Sequence, residues 1–144
     1  MAPYKTGFTC GTFDLCHAGH FLMFEECKQV CEHLIVGLQS DPTLDRSTKN
    51  KPIMTLEERF TVMRGIRYVD EVVVYHTEKD LYALLQMHLS VIHVRIIGAD
   101  WKGKQYTGHD LSIPVHFNTR DHGYSTSELR RRVFQAERDR IQDL

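Results

Sequence analysis

The densest chemistry in this chain lies between Gly11 and His20, in the run Gly-Thr-Phe-Asp-Leu-Cys-His-Ala-Gly-His. His17 and His20 stand three residues apart with Gly19 between them, where a strand is expected to give way to a helix. Imidazoles and backbone N–H groups gathered at such a junction suit an anion, above all a phosphate. Asp14 lies too close to that anion to attract it, so its expected task is to orient a histidine or the loop. Turn chemistry alone would also explain an aspartate there. A second segment, Arg120 to Ser127 (RDHGYSTS), repeats the pattern with an arginine, Gly123 and the hydroxyls of Ser125, Thr126 and Ser127. Ser125 is expected to cap a helix whose N-terminus, with Arg120 nearby, forms a cradle for β- and γ-phosphates. Two anion sites on one chain of this size point to a nucleotide.

Neither GxxxxGK[ST] nor GxGxxG is present, and no serine or cysteine is visibly paired with a base. The remaining groups suit attack by one phosphate on another. A phosphate monoester has a second pKa of about 6 and is already ionised near neutral pH. The protein then has to position the reactants and neutralise developing charge, without removing a proton. In such a reaction His17 and His20 would donate to the α-phosphate and to the bridging oxygen that leaves with pyrophosphate. The plainer reading places one histidine in the core and the other on the surface, and the GTFD immediately before them weighs against it. Lys49 and Lys51, in a polar loop, are either solvated charges or captors of a substrate phosphate. Arg130, Arg131 and Arg132 read as one solvated helix face plus a pairing residue; nucleic-acid binding is a weak second choice, since interleaved aromatics are missing.

The elements that must position these groups alternate along the chain. Strands are expected at residues 4–10, 33–38, 71–75, 91–97 and 113–117, and helices at about 19–31, 55–68, 79–89 and 126–140. Thr55 with Glu58, and Ser125 with Glu128, have the spacing of capping boxes. The run HLIVGL (33–38) is nearly continuous and apolar, as in a strand buried on both faces. Strand-helix alternation of this kind gives βαβ units, hence one domain with a Rossmann-like, open, mostly parallel five-stranded sheet and helices on both faces. Ligands of such sheets bind at the carboxyl ends of the strands. His17 and His20, the lysine loop, Asp100-Trp101 and Arg120 to Ser127 all follow strands there.

With 42% hydrophobic and 26% charged residues, the 144-residue chain has an ordinary globular balance. A net charge of −1 gives no global attraction to nucleic acid or to an anionic membrane. No apolar run approaches a membrane span and Met1 to Lys5 lacks a secretory apolar stretch, so a cytoplasmic location is expected. Cys27, Cys31 and His33 could be read as zinc ligands, but the paired CxxC/HxxxH arrangement is missing, and small buried side chains are the preferred reading. Cys27 and Cys31, one helical turn apart, suit a disulfide poorly.

GTFDLCHAGH resembles the HxGH segment of the cytidylyltransferases, and RDHGYSTS their RTxGxST segment. Between them, Arg67-Tyr68-Val69-Asp70-Glu71-Val72, Asp100-Trp101-Lys102-Gly103-Lys104 and Lys49-Asn50-Lys51 are similar to segments of glycerol-3-phosphate cytidylyltransferases. The resemblance runs in order from Gly11 to Arg132. It implies that Thr12, Phe13, His17, Gly19 and His20 bind nucleotide, together with Asp100. Arg120 and the residues from Gly123 through Ser125, Thr126 and Ser127 would hold base and phosphates, with Lys51 assisting and Lys49 meeting the acceptor's phosphate. It also implies Mg²⁺ or another divalent cation on the triphosphate, without protein side chains as metal ligands, and a homodimer near Arg67 to Val72. The implied reaction is CTP plus sn-glycerol 3-phosphate giving CDP-glycerol and pyrophosphate, a precursor of glycerol-phosphate polymers of the cell surface. His17, His20, Lys49, Arg120 and Asp14 would serve the reaction itself. Asp121-His122 departs from the Thr-Glu of that pattern, Ala99 replaces an acidic residue, and Gln105 to Ser112 has no close counterpart. These departures bear on the acceptor and, less strongly, on the base. Ethanolamine or choline phosphate as acceptor, ATP as donor, or a silent nucleotide-binding regulator are the alternatives.

Overall fold

The computed structural model describes all 144 residues. Five parallel strands, β1 (Tyr4–Gly11), β2 (Cys31–Gln39), β3 (Glu71–Tyr75), β4 (Val94–Gly98) and β5 (Val115–Asn118), form one sheet in the order β3-β2-β1-β4-β5. Four helices connect or follow them: α1 (Ala18–Val30), α2 (Leu56–Gly65), α3 (Glu78–Met87) and α4 (Thr126–Gln142). The chain runs outward from β1 to β2 and β3, then crosses back to place β4 on the other side of β1. This reversal opens a crevice above the carboxyl ends of β1 and β4, where open α/β sheets take their ligands.

Two apolar clusters hold the layers together. Phe24, Cys27 and Val30 of α1 and Met63 of α2 pack with Leu34, Val36, Leu38, Val94 and Ile96 of the sheet. On the opposite face Leu81 and Leu85 of α3 pack with Phe8, Tyr75, Ile92 and Ile113. Helices therefore cover both faces, and the near-continuous apolar run of β2 follows from its position between β3 and β1. α4 stands apart: it has no buried residue, and every residue from Arg131 onward is exposed. No helix is long and apolar enough to cross a membrane.

Several boundaries differ from the sequence expectations. β2 begins at Cys31, directly after α1, because Cys31 is already extended as the helix's C-cap and is buried in the core. α2 stops at Gly65, not at 68, since Ile66 turns out of the helix to bury itself. β4 begins at Val94 because the N–H groups of Val91 and Ile92 still bond back to His88 O. β5 begins at Val115, after Pro114, whose carbonyl accepts from Arg95 N–H. Thr55 and Glu58 do form a reciprocal capping box. Ser125 forms only half of one: its Oγ accepts from Glu128 N–H at 3.0 Å, while the Glu128 carboxylate pairs with Arg131.

The crevice floor is tied by an arginine that the sequence reading did not single out. Arg59 on α2 is 2% exposed and donates to four carbonyls: Met54 (3.1 Å), Thr12 (3.0 Å), Gln39 (2.6 Å) and Ser40 (2.6 Å). It thereby joins the ends of β1 and β2 to the loop before α2. Burial lowers its pKa, against the raising influence of Asp14 and Asp41. Removing the side chain strands buried carbonyls, each costing on the order of 1–3 kcal/mol. Arg59→Met should therefore lower unfolding free energy by about 3–5 kcal/mol in urea titrations; a loss under about 1 kcal/mol would show that the tie carries little.

Candidate active site

The loop between β1 and α1 is wound tightly. Phe13 and Leu15 both adopt left-handed backbone angles (φ 51° and 50°), which cost a non-glycine residue roughly 1–2 kcal/mol each. Between them, Asp14 accepts from the backbone N–H groups of Ile53 (2.8 Å) and Met54 (2.9 Å), with Arg130 Nη1 3.8 Å away. Asp14 thus orients the loop before α2 and no histidine. Both of its oxygens are engaged by backbone, so it is a positioning residue.

α1 then starts on imidazoles. His17 is its N-cap, and its Nδ1 accepts from Gly19 N–H at 3.0 Å. His20 returns the contact, its Nδ1 accepting from His17 N–H at 3.0 Å. The pair forms a capping box in which two histidines do the work usually done by Ser/Thr and Glu. The pattern has a chemical consequence. A neutral imidazole that accepts at Nδ1 must carry its proton at Nε2. Both rings are therefore held as Nε2–H donors, and His17 Nε2 lies 3.1 Å from Thr126 Oγ1 at the start of α4. The ring centroids are 4.1 Å apart. Gly19 allows this approach, because a Cβ there would stand 2.9 Å from the His17 ring and 3.0 Å from that of His122.

Burial pulls the His20 pKa down to about 4, helped by the neighbouring charges of His17, Arg120 and His122. His17 is lowered as well, by burial first and then by His122 and Arg120. Near neutral pH both rings are consequently uncharged donors in the ligand-free protein.

Two connected cavities open at this edge of the sheet. The smaller, about 250 Å³, is lined by His17, Gly19, His20, Asp100, Arg120, Ser125 and Thr126, with His122 and Tyr124 on its wall. The larger, about 570 Å³, is lined by Thr12, Phe13, Asp14, Lys49, Ser127 and Arg130 at the top, and by Gln39, Tyr75, Glu78 and Arg95 on the side of α3. Thr9, Cys10, His20, Gly98 and Thr126 belong to both. The fold thus brings the two distant segments expected to bind anions to one place.

Two expected residues lie elsewhere. Lys51 lines neither cavity; it is exposed and pairs with Asp41 at 3.0 Å. Gly123 lines neither one and sits in the exposed turn before α4. Cys27, Cys31 and His33 do not converge as a metal site would require: both thiols are buried, while His33 faces Glu71 at the surface. Arg95, Arg130 and His122 were missed as cavity residues. His122 occupies a position where the sequence departs from the family pattern, which was the available signal. Arg130 lies one turn beyond the hydroxyl run and read as part of a solvated face. In the Arg67–Val72 segment, Tyr68 bonds to Arg67 and Glu25, and Asp70 holds Leu34 N–H and Lys28, so these polar groups are used within the chain.

Three bifunctional HldE proteins are similar to this chain: that of Campylobacter concisus (32% identical over 94% of this chain), that of Wolinella succinogenes (34% over 90%) and that of a Helicobacter pylori strain (29% over 94%). The chain spans only 28%, 27% and 29% of the lengths of these relatives. Among solved structures, a lipopolysaccharide core biosynthesis protein from Thermoplasma volcanium shares the fold. It has a TM-score of 0.62 at 24% identity, and the match covers 84% of this chain and 98% of that one. The model of the cytidylyltransferase-like family matches residues 8–132, and the chain belongs to that family of nucleotidyltransferase domains.

Proposed function

We propose that this protein transfers CMP from CTP to the phosphate of a small phosphorylated alcohol, with sn-glycerol 3-phosphate as the acceptor implied by the motif set. The products would be CDP-glycerol and pyrophosphate. One observation carries the reading: His17, His20, Arg120, Ser125 and Thr126 line one cavity that opens directly onto the cleft holding Lys49. The smaller cavity suits the triphosphate, and the larger one the acceptor.

The step needs no general base. An acceptor phosphate oxygen forms a bond to the α-phosphorus, the bond from that phosphorus to the bridging oxygen breaks, and pyrophosphate leaves with the electron pair. The Nε2–H groups of His17 and His20 donate to the oxygens that gain charge. Their backbone-capped Nδ1 atoms keep them from reorienting, which is the preorganisation that electrostatic stabilisation requires. Arg120 and the first turn of α4 receive the β- and γ-phosphates. Lys49, on the exposed loop, draws the acceptor phosphate to the mouth of the cleft. A divalent cation accompanying the triphosphate belongs to the same proposal. When bound there it would neutralise phosphate charge. A homodimer through the Arg67–Val72 segment belongs to the same proposal; β3, which begins within that segment, is an edge strand with Val74 exposed.

Pyrophosphate release measured over a grid of four nucleoside triphosphates and several phosphorylated alcohols tests the reaction, the base and the acceptor together. CTP with glycerol 3-phosphate should be among the productive pairs; no release with any pair would overturn the proposal. His17→Ala and His20→Ala should each lower kcat by at least about 10²-fold with the fold retained, and near-normal rates would remove both rings from the reaction. Lys49→Ala should raise KM for the acceptor more than for CTP, and the reverse pattern would assign that loop to the nucleotide. In the ligand-free protein, NMR should find His20 titrating near 4 and uncharged at pH 7. The unfolded chain, with a histidine pKa of about 6.5, binds this proton first, so stability should fall as pH drops from 6.5 towards 4. The slope from this group is at most about 1.4 kcal/mol per pH unit. A His20 pKa above 7 would remove the neutral-donor assignment.

A further inference from the structure

Arg95, the second residue of β4, has no part in the reaction described above, yet it is the most unusual charge in the protein. It is 4% exposed, lies on the α3 side of the sheet and lines the larger cavity. No carboxylate forms an ion pair with it. Its Nη1 donates to Thr107 O, Nη2 has only a 3.9 Å contact with Cys10 Sγ, and Nε has no partner at all. One edge of the guanidinium fork, Nε with Nη2, is thus left without an oxygen. The nearby Glu78 carboxylate is occupied elsewhere, accepting from Thr107 Oγ1 at 2.7 Å.

The segment that departs from the family pattern is moulded around this group. The Arg95 guanidinium lies over the Tyr106 ring at 5.3 Å. Gly108 takes a left-handed backbone angle (φ 85°), and a Cβ there would stand 3.0 Å from Arg95 Nη1. Anchoring the Thr107 carbonyl would need only a neutral donor. A buried guanidinium with no counter-ion is costly, and a native structure that retains one has a use for its charge.

We infer that Arg95 is a specificity-determining residue that binds a carboxylate carried by the acceptor at the end remote from its phosphate. A planar carboxylate fits the open edge of the fork in two parallel hydrogen bonds. The acceptor is then a phosphorylated hydroxy acid: its phosphate lies at the mouth with Lys49, and its carboxylate lies deep, beside Arg95. This rests on the nucleotidyl-transfer reading and changes only the acceptor class, from a neutral polyol phosphate to an acidic one.

Two matched pairs of probes test it, each differing only by CH₂OH against COO⁻: sn-glycerol 3-phosphate with L-glycerate 3-phosphate, and α-D-glucose 1-phosphate with α-D-glucuronic acid 1-phosphate. Binding is measured by calorimetry and turnover by pyrophosphate release with CTP. In at least one pair the wild-type protein should bind the acidic member at least about tenfold more tightly. In Arg95→Gln that advantage should fall below about threefold, while affinity for the neutral member and KM for CTP stay unchanged. Equal binding within both pairs by the wild type would overturn the inference, and this measurement does not depend on the variant folding. A variant that weakens both members of a pair equally would also overturn it, by showing that Arg95 only supports the loop. An acidic preference in binding without pyrophosphate release from any probe would retain Arg95's role and sink the transfer reading instead.

Discussion

The site depends on how α1 begins. A helix leaves its first N–H groups without internal partners, and a side-chain acceptor near the N-cap usually meets one of them. Here the acceptors are the Nδ1 atoms of His17 and His20. An imidazole differs from a hydroxyl or carboxylate in having a second nitrogen, and capping with the first fixes what the second can do. Forming the helix and setting the tautomer of two donors are therefore one event. The absence of a side chain at Gly19 lets the rings lie close, and burial lowers both pKa values so that the rings are uncharged near neutral pH. A neutral donor held this way costs little to desolvate, whereas a buried cation with no partner would oppose folding.

The second constraint is that the loops around this helix start must not drift. Arg59 and Asp14 act from opposite sides with opposite charge. The arginine donates to carbonyls from three segments, and the aspartate accepts from the N–H groups that open the loop before α2. These contacts offset the left-handed conformations of Phe13 and Leu15, which could not persist on local preference. They also explain why charged residues so near the proposed phosphate site are not all for the phosphate. Asp14 would repel it if its oxygens were free; engaged by backbone donors, its charge is spread over the loop.

What could be read in the sequence follows the range of the interactions. The alternation of elements, the buried run of β2, the cap at Thr55 and the junction at His17 and His20 rest on neighbours within a few residues, and local pattern reveals them. The imidazole capping box is equally local, but histidine is rare in that role, so the spacing points first to ligand chemistry or to packing. The Thr77 and Asp80 box that opens α3 was also available and unread. Arg59 and Arg95 could not have been found this way. Their roles lie in partners many positions away, and an isolated arginine in an amphipathic stretch looks like any solvated charge. Lys51 shows the converse: its spacing from Lys49 matched a motif, but Asp41 across the loop takes the charge.

The same difference in range divides the cleft. Its nucleotide side is made of two helix starts, α1 and α4, with the residues immediately preceding each, so it is short-range and motif-like. Its other side draws single long side chains from β2, β3, α3 and β4, together with the segment after Trp101. A change in any one of these alters the shape and charge offered to an acceptor, and the two sides meet at Thr9, Cys10, His20, Gly98 and Thr126. Arg95 and its fitted loop are a plain instance: a full positive charge introduced below the rim, on the face of the sheet opposite α1, where it can choose a substrate and leave the attack on phosphorus alone.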